Sequence, residues 1–422
     1  MVTNENYEKP AHVPDDFFVP GNIWEAMGDR PHDRLQQIAK GREMIFLQTH
    51  QIPGHSPQGT WLAGSARVAR QILLDSATFS SNNVTGFARL LGNDLIYFPV
   101  DVDPPAHTKY RALIAKHFMP ASVSALREVV RSRIDTLLDG IIAKGGCEFV
   151  AEFAKVLPAT IFLDLVGLPR ERADEFLKWA DVSLCAPTPQ ERIAAMVCIR
   201  DYLASEIECR QKDPRNDILS ALTNGEIDGR RLEFREALGG AMVLYIAGLD
   251  TVAGQLGWIF RHLAEDTELQ MSLRRDPSRL AKVNEEFIRF FSSVCFSRRA
   301  TKDVEIGGVT VRKGDSVTCS TTMCGRDSTE FKDADRLDVS QQPRRHMAFG
   351  FGIHNCIGLH LARLEINLAT ERWLERVPEF RIAEGASTPS HGGSFIALDS
   401  LPIVCRGTSS RRIAAHGGKS KC

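Results

Sequence analysis

Apolar positions along the 422-residue chain fall mostly at helical spacing. Between residues 123 and 143, Leu126, Val129, Val130, Ile134, Leu137, Leu138, Ile141 and Ile142 recur near the 3.6-residue period. The pattern stops at Gly145-Gly146, where glycine can take a left-handed C-terminal position. The same reading predicts helices over 149–166, 170–185, 190–212, 234–265, 277–291 and 357–377. Ser65 can cap a helix running to Asp75, and Pro104-Pro105 can open another, because proline tolerates a first turn. Strand patterns are few: 43–51 and 59–62 around a turn-rich 53–57, and 304–311 about Gly307-Gly308. The first 40 or so residues, rich in Pro and Asp, read as an extended arm. Residues 82–99 read as a loop, and the stretch after 311 as coil. Residues 406–422 carry Arg406, Arg411, Arg412, Lys419 and Lys421 without an acid and read as a disordered basic tail. The expectation is one large, mainly α domain over 1–405 with small β-sheets.

Composition narrows the function classes. Hydrophobic residues make up 43% and charged residues 25%, as in globular proteins with a large core. Fifty-two Lys and Arg against 53 Asp and Glu leave a net charge of −1, which excludes a globally basic nucleic-acid binder. The N-terminus is polar, and purely apolar runs fall short of the ~18–20 residues of a membrane span, so a cytoplasmic protein without a membrane anchor is expected. The ten cysteines are scattered without a C-x-x-C pair, which argues against a zinc ribbon, a redox dithiol or a disulfide framework.

The sharpest chemical signal is Phe349-Gly350-Phe351-Gly352-Ile353-His354-Asn355-Cys356-Ile357-Gly358, directly before a predicted helix. A cysteine there meets the positive end of the helix dipole and free backbone N–H groups, which favour thiolate over thiol. Glycines at 350, 352 and 358 would let the backbone pass close to a flat ligand. A thiolate in a glycine-lined turn suits an axial haem ligand. A lone cysteine in a tight turn is more often simply buried.

The full string decides between these readings, because it resembles the haem-binding loop of the cytochrome P-450 monooxygenases. The resemblance spans about residues 20 to 405, and three more motifs stand in the family's order. Ala247-Gly248-Leu249-Asp250-Thr251 is similar to the oxygen-activation motif, Glu286-Phe287-Ile288-Arg289 to E-x-x-R, and His107-Thr108-Lys109-Tyr110-Arg111 to H-x-x-x-R. The resemblance implies a helical domain with small β-sheets enclosing haem b, with Cys356 as the metal ligand. It implies that Phe349, Gly350 and Gly248 adjoin the cofactor and that His107, Arg111, Arg298 and His354 bind the propionates. Guanidinium forks suit carboxylates. Asp250 and Thr251 would be the catalytic pair that delivers protons. Physically, Gly248 inside a helix costs roughly 1 kcal/mol relative to alanine, which suits close passage of another group such as bound oxygen. Thr251 can bond the carbonyl four residues back or release it. Glu286 and Arg289 share a helix face, and the resemblance makes Arg336 the third member of that structural ion pair.

Within the family the chain is most similar to the bacterial camphor-hydroxylase group. Leu95 falls where that group has its camphor-binding tyrosine. Leu244, Ile246, Val294 and Phe296 carry over as pocket positions, together with Ser394 and Phe395, and Phe87 joins them from the 82–99 loop. The implied activity is hydroxylation of a small hydrophobic substrate, a terpenoid or a norisoprenoid such as an ionone, with O₂ and two electrons. No flavin, nicotinamide or ferredoxin signature is present, so a [2Fe-2S] ferredoxin with its NAD(P)H-dependent reductase is the implied partner. Lys109, Arg111, Lys116, Arg67, Arg70 and Arg363 are candidates for its docking face. A monomer is expected. A peroxide-driven enzyme or a haem-thiolate sensor would not need the adjacent Asp250 and Thr251.

Overall fold

The most apolar stretch of the chain, Phe234–Glu265, becomes the axis of the core. It is long and apolar enough to cross a membrane, yet residues 237–245 are buried without interruption inside the protein. It comprises two helices, Phe234–Leu249 and Thr251–Glu265, which part at Asp250. The computed structural model describes residues 9–21, 28–39, 41–48, 59–186, 188–340, 344–392 and 395–406.

Helices surround this axis in the expected order. Arg127–Lys144 ends on left-handed Gly145, Val156–Val166 follows a π-helical turn, and Ala173–Cys185 leads into Pro189–Lys212. The last of these starts on a capping box between Thr188 and Glu191. Ala66–Leu74 is capped by Ser65, whose hydroxyl accepts from the Val68 N–H. Leu280–Phe290 and Leu359–Arg376 pack together near the Cys356 loop.

The main sheet has six strands in the order Phe18–Val19, Met44–Leu47, Thr60–Ala63, Ser316–Ser320, Cys295–Ala300, Phe79–Ser80. Thr60–Ala63 runs parallel to Ser316–Ser320, with Trp61 opposite Val317. Cys295–Ala300 is antiparallel to the latter, with Arg298 opposite Val317. A three-stranded sheet joins Glu379–Ile382, Pro402–Arg406 and Gly146–Glu148.

Several expectations need correction. The N-terminal arm contains the helix Pro31–Ala39, which buries His32, Leu35 and Ala39. At nine residues the helix is too short for its apolar spacing to be read alone. The 82–99 loop contains a short helix, Phe87–Leu91, bounded by left-handed Gly86 and Gly92. Helices Ile218–Thr223 and Thr267–Arg275 were not expected, although Asp217 and Asp266 cap their N-termini. The coil after 311 includes the strand Ser316–Ser320 and the helix Thr321–Gly325. Arg406 ends a strand opposite Glu379, and the rest of the basic tail lies outside the described residues.

Candidate functional site

Local hydrogen bonds set the Cys356 loop. The Cys356 N–H donates to the Phe349 carbonyl at 2.8 Å, and the Asn355 side-chain amide donates to the carbonyls of Phe349 and Gly350 at 3.2 and 3.3 Å. Gly350 and Gly352 have φ of 76° and 73°, a region that costs other residues energy. A Cβ on Gly352 would lie 2.6 Å from the Leu73 carbonyl oxygen, and one on Gly350 3.1 Å from the Phe296 ring. The Leu359–Arg376 helix starts immediately after, with Gly358 at its N-cap. Burial outweighs the opposing pull of the Gly358 N–H and the Arg111 and Arg363 guanidiniums and leaves the Cys356 thiol raised, so the protein by itself does not favour the thiolate expected from the sequence.

A cluster of donors lies beside this loop. His107, on the Ala106–Ala115 helix, is buried, and neither ring nitrogen has a partner among the described residues. His354 leaves Nε2 unpartnered, and the two rings stand 4.2 Å apart. Arg298 is buried on the Cys295–Ala300 strand and donates to the Ser297 carbonyl at 2.7 Å. Arg111 reaches the Asn355 carbonyl at 2.5 Å. Burial, with Arg298, His107 and Arg111 nearby, pushes His354 down to about 3. Burial and the same two arginines lower His107. The carboxylates acting on Arg298 are Asp103 and Asp101, both already accepting hydrogen bonds from residues 80–85. Orphaned donors cost free energy in the interior unless a partner meets them. The carboxylates of a porphyrin are such partners, so these residues fit a haem edge.

The helix break supplies the third part. Asp250 is buried, and its Oδ2 has no partner among the described residues. Burial, then Asp181, pushes its carboxyl up to about 6 against the opposing pull of Lys155 and His391. The Thr251 hydroxyl donates to the Ala247 carbonyl at 3.3 Å. Ala247 and Thr251, four residues apart, are exposed although Leu249 and Asp250 between them are buried, so one face of this core helix borders an open space. Gly248 has a different reason from the expected one: a Cβ there would strike the Phe162 ring, so helix packing requires the glycine.

The remaining site positions divide between surroundings. Val294 forms a β-bridge to Phe395, whose ring stands 3.9 Å from where a Cβ on Gly254 would be, one turn beyond Thr251. Phe296 touches the Cys356 loop at Gly350. Phe87, Leu95 and Ile246 pack half-buried on the main core, with Phe87 edge-on to Tyr97 at 5.5 Å. Leu244 lines an apolar seam with Phe162, Leu203 and Leu219. Ser394 lies outside the described residues.

Glu286 and Arg289 pair at 2.5 Å. The Arg289 guanidinium also donates to the carbonyls of Gly325, Ala334 and Arg336, the last at 3.3 Å, while the Arg336 residue is exposed. Sequence reasoning missed Glu285, which accepts from Arg363 at 2.5 Å and from His346 at 3.1 Å. Burial raises its carboxyl, but these two donors outweigh it and hold it at about 2. Arg363 in turn lies over the Phe349 ring at 4.6 Å. A carboxylate beside the Glu286 motif offered no sequence signal of its own. Of the basic docking candidates, Arg67 pairs with Glu43, Arg70 with Glu330, Lys109 with Asp228 and Arg363 with Glu285.

Comparison with known proteins places the chain in a family. The family model described as Cytochrome P450 matches residues 172–383. The chain is 35% identical to "Probable cytochrome P450 127A1" of Sinorhizobium fredii, over 94% of this chain and 96% of that protein. It is 32% identical to the "Steroid C26-monooxygenase" of Mycobacterium tuberculosis, over 72% of this chain and 85% of that protein. The crystal structure of cytochrome P450 CYP101C1 superposes with a TM-score of 0.83 at 29% identity, covering 94% of this chain and all of that one (100%).

Proposed function

The chain belongs to the cytochrome P450 family and is a P450 monooxygenase with a haem-iron cofactor, and from that premise we propose that Cys356 is the axial ligand of haem b. The carrying observation is the convergence of His107, His354, Arg298 and Arg111 on the loop that holds Cys356. These four would hold the propionates, and Phe349 and Gly350 belong to the loop that would carry the haem. Bound haem supplies O₂ activation, in which one oxygen atom enters a C–H bond and the other leaves as water with two electrons and two protons.

The chain's own part is to supply protons and to orient the substrate. Burial raises the Asp250 carboxyl to about 6, so it holds a proton to higher pH than an exposed carboxyl and can exchange one near neutral pH. The Thr251 hydroxyl, one residue on, hands that proton to the open side of the helix. The substrate is a small hydrophobic molecule, a terpenoid or a norisoprenoid such as an ionone. Leu95, Phe87, Ile246, Val294, Phe296 and Phe395 offer it apolar walls without side-chain donors. Electrons come from a [2Fe-2S] ferredoxin served by an NAD(P)H-dependent reductase. Its docking face is less basic than the arginine count suggests, since four of the six candidates are already paired.

Two spectra test this. The reduced, CO-bound protein is expected to show a thiolate-type Soret band, and a globin-like band would remove Cys356 as ligand. Titration with β-ionone is expected to shift the ferric spin state at lower concentration than camphor. Tight camphor binding with a full spin shift would overturn the substrate reading.

A further inference from the structure

Residues 84–101 supply two of the proposed pocket positions, Phe87 and Leu95, and the segment is held at its base by side chains that the family motifs do not include. The Thr85 N–H donates to Asp101 Oδ1 at 3.0 Å, and the Thr85 hydroxyl donates to Asp101 Oδ2. The Phe87 N–H then donates to the Thr85 hydroxyl oxygen at 3.4 Å. Asp103 forms a second rung, accepting from the Ser81 N–H at 2.8 Å and from the Ser80 hydroxyl. Both carboxylates act on Arg298, and Asp101 is 4% exposed.

The two limbs of the segment are anchored differently. Along 96–98 the chain lies directly on the Phe234–Leu249 helix, where a Cβ on Gly239 or Gly240 would strike the Ile96 carbonyl or the Phe98 ring. That limb cannot lift without leaving a notch in the core. The other limb, with the helix Phe87–Leu91, is tied at its start by Asp101 and by the edge-on contact of Phe87 with Tyr97, at its far end by Asn93 on the Tyr97 hydroxyl and by the exposed pair of Asp94 with Arg235, and between them rests on the core only through half-buried Ala88, Leu90 and Leu91.

We propose that Asp101 and Thr85 form a clasp that holds Phe87 and residues 86–94 closed over the substrate pocket, and so sets the size of ligand that the closed pocket retains. Asp101 is thus a positioning residue, acting through Thr85 at the base of the loop. The proposal rests on the reading of Phe87 and Leu95 as pocket walls over a haem.

The test uses the haem-loaded protein with Thr85→Val, Thr85→Ser and Asp101→Asn. Ferric-state titrations compare 4-phenylimidazole, which fills a pocket, with imidazole, which does not. Thr85→Val is expected to weaken 4-phenylimidazole about tenfold, the loss typical of one hydrogen bond to a charged group, and to leave imidazole affinity unchanged. Thr85→Ser keeps the hydroxyl and is expected to match the parent. Limited trypsin digestion gives a readout free of haem: Arg89 is exposed on the short helix, and cleavage after it should quicken in Thr85→Val and Asp101→Asn but not in Thr85→Ser. Equal weakening of both ligands, no change in either, or a Thr85→Ser that behaves like Thr85→Val would overturn the clasp. If the unmutated protein gives no spectral response to imidazole, the haem assignment fails instead, and the rate of Arg89 cleavage alone decides the clasp.

Discussion

The Cys356 loop and the edge formed by His107, His354 and Arg298 treat polar groups in opposite ways. In the loop, the Cys356 N–H and the Asn355 amide have protein partners, as does the Arg363 guanidinium on the helix that follows. At the edge, His107 leaves two ring nitrogens and His354 one without a partner among the described residues, and Asp250 beyond them leaves a carboxylate oxygen. A satisfied buried network makes a rigid holder, whereas orphaned buried groups cost stability unless a ligand or a proton engages them. The difference separates scaffold from working surface more sharply than burial does.

The strongest way to break the comparison is to alter the holder's central atom. Cys356→His is expected to abolish the thiolate-type carbonyl complex completely and to move the Soret band to a globin-like position, read by absorbance of the reduced, CO-bound protein. Retention of the original band would mean that another residue is the ligand.

Strain in the holder should come next. Gly352→Ala places a Cβ 2.6 Å from the Leu73 carbonyl at a φ of 73°. We expect a loss of about 2–3 kcal/mol in stability and a lower haem content, measured by denaturant unfolding and by absorbance ratio. A neutral outcome would show that the loop tolerates other backbone geometries.

The working surface should respond to pH rather than to packing. Burial raises Asp250 from an ordinary 3.8 to about 6. Its protonated form therefore favours folding, and that contribution is complete below pH 4 and lost as pH rises through 6. Asp250→Asn is neutral at every pH. It should be more stable than the parent at pH 8, by up to about 3 kcal/mol, and equal to it near pH 4. Turnover should fall, since an amide cannot relay the proton. Parallel stability curves for the two proteins would contradict the raised carboxyl. In Thr251→Ala, NADH consumption is expected to continue with oxygen diverted to peroxide, which a peroxide assay would detect.

The smallest effects belong to the surface. Lys116 is exposed and forms no ion pair among the described residues, whereas Arg67 already faces Glu43. Lys116→Glu should slow reduction by a ferredoxin by the equivalent of about 0.2–1 kcal/mol, more at low salt, and Arg67→Glu should do less. Stopped-flow rates that respond equally to both changes would show that internal pairing does not mask the arginine.

Much of the holder was legible in the linear sequence because its causes are local. Gly350, Gly352 and Cys356 lie within seven residues, and their turn closes on itself through Phe349 and Asn355. The long core helices were legible for the same reason, as was the Ser65 cap. Periodicity and capping act over one to four residues, so the string of residues contains them.

What only the tertiary structure decided depends on partners far away in the chain. Gly248 owes its lack of a side chain to Phe162, 86 positions earlier. Arg336 contributes a carbonyl to Arg289 instead of its guanidinium, and Glu285 reaches Arg363 across 78 residues. The helices Pro31–Ala39 and Phe87–Leu91 are nine and five residues long, too short for spacing alone to mark them. There the stabilising surface is supplied by other elements, and packing overrides local propensity. The two histidines at the haem edge show the same division: each is visible in the sequence, but that both His107 ring nitrogens and His354 Nε2 lack a partner among the described residues could be seen only once the helix and the loop were brought together.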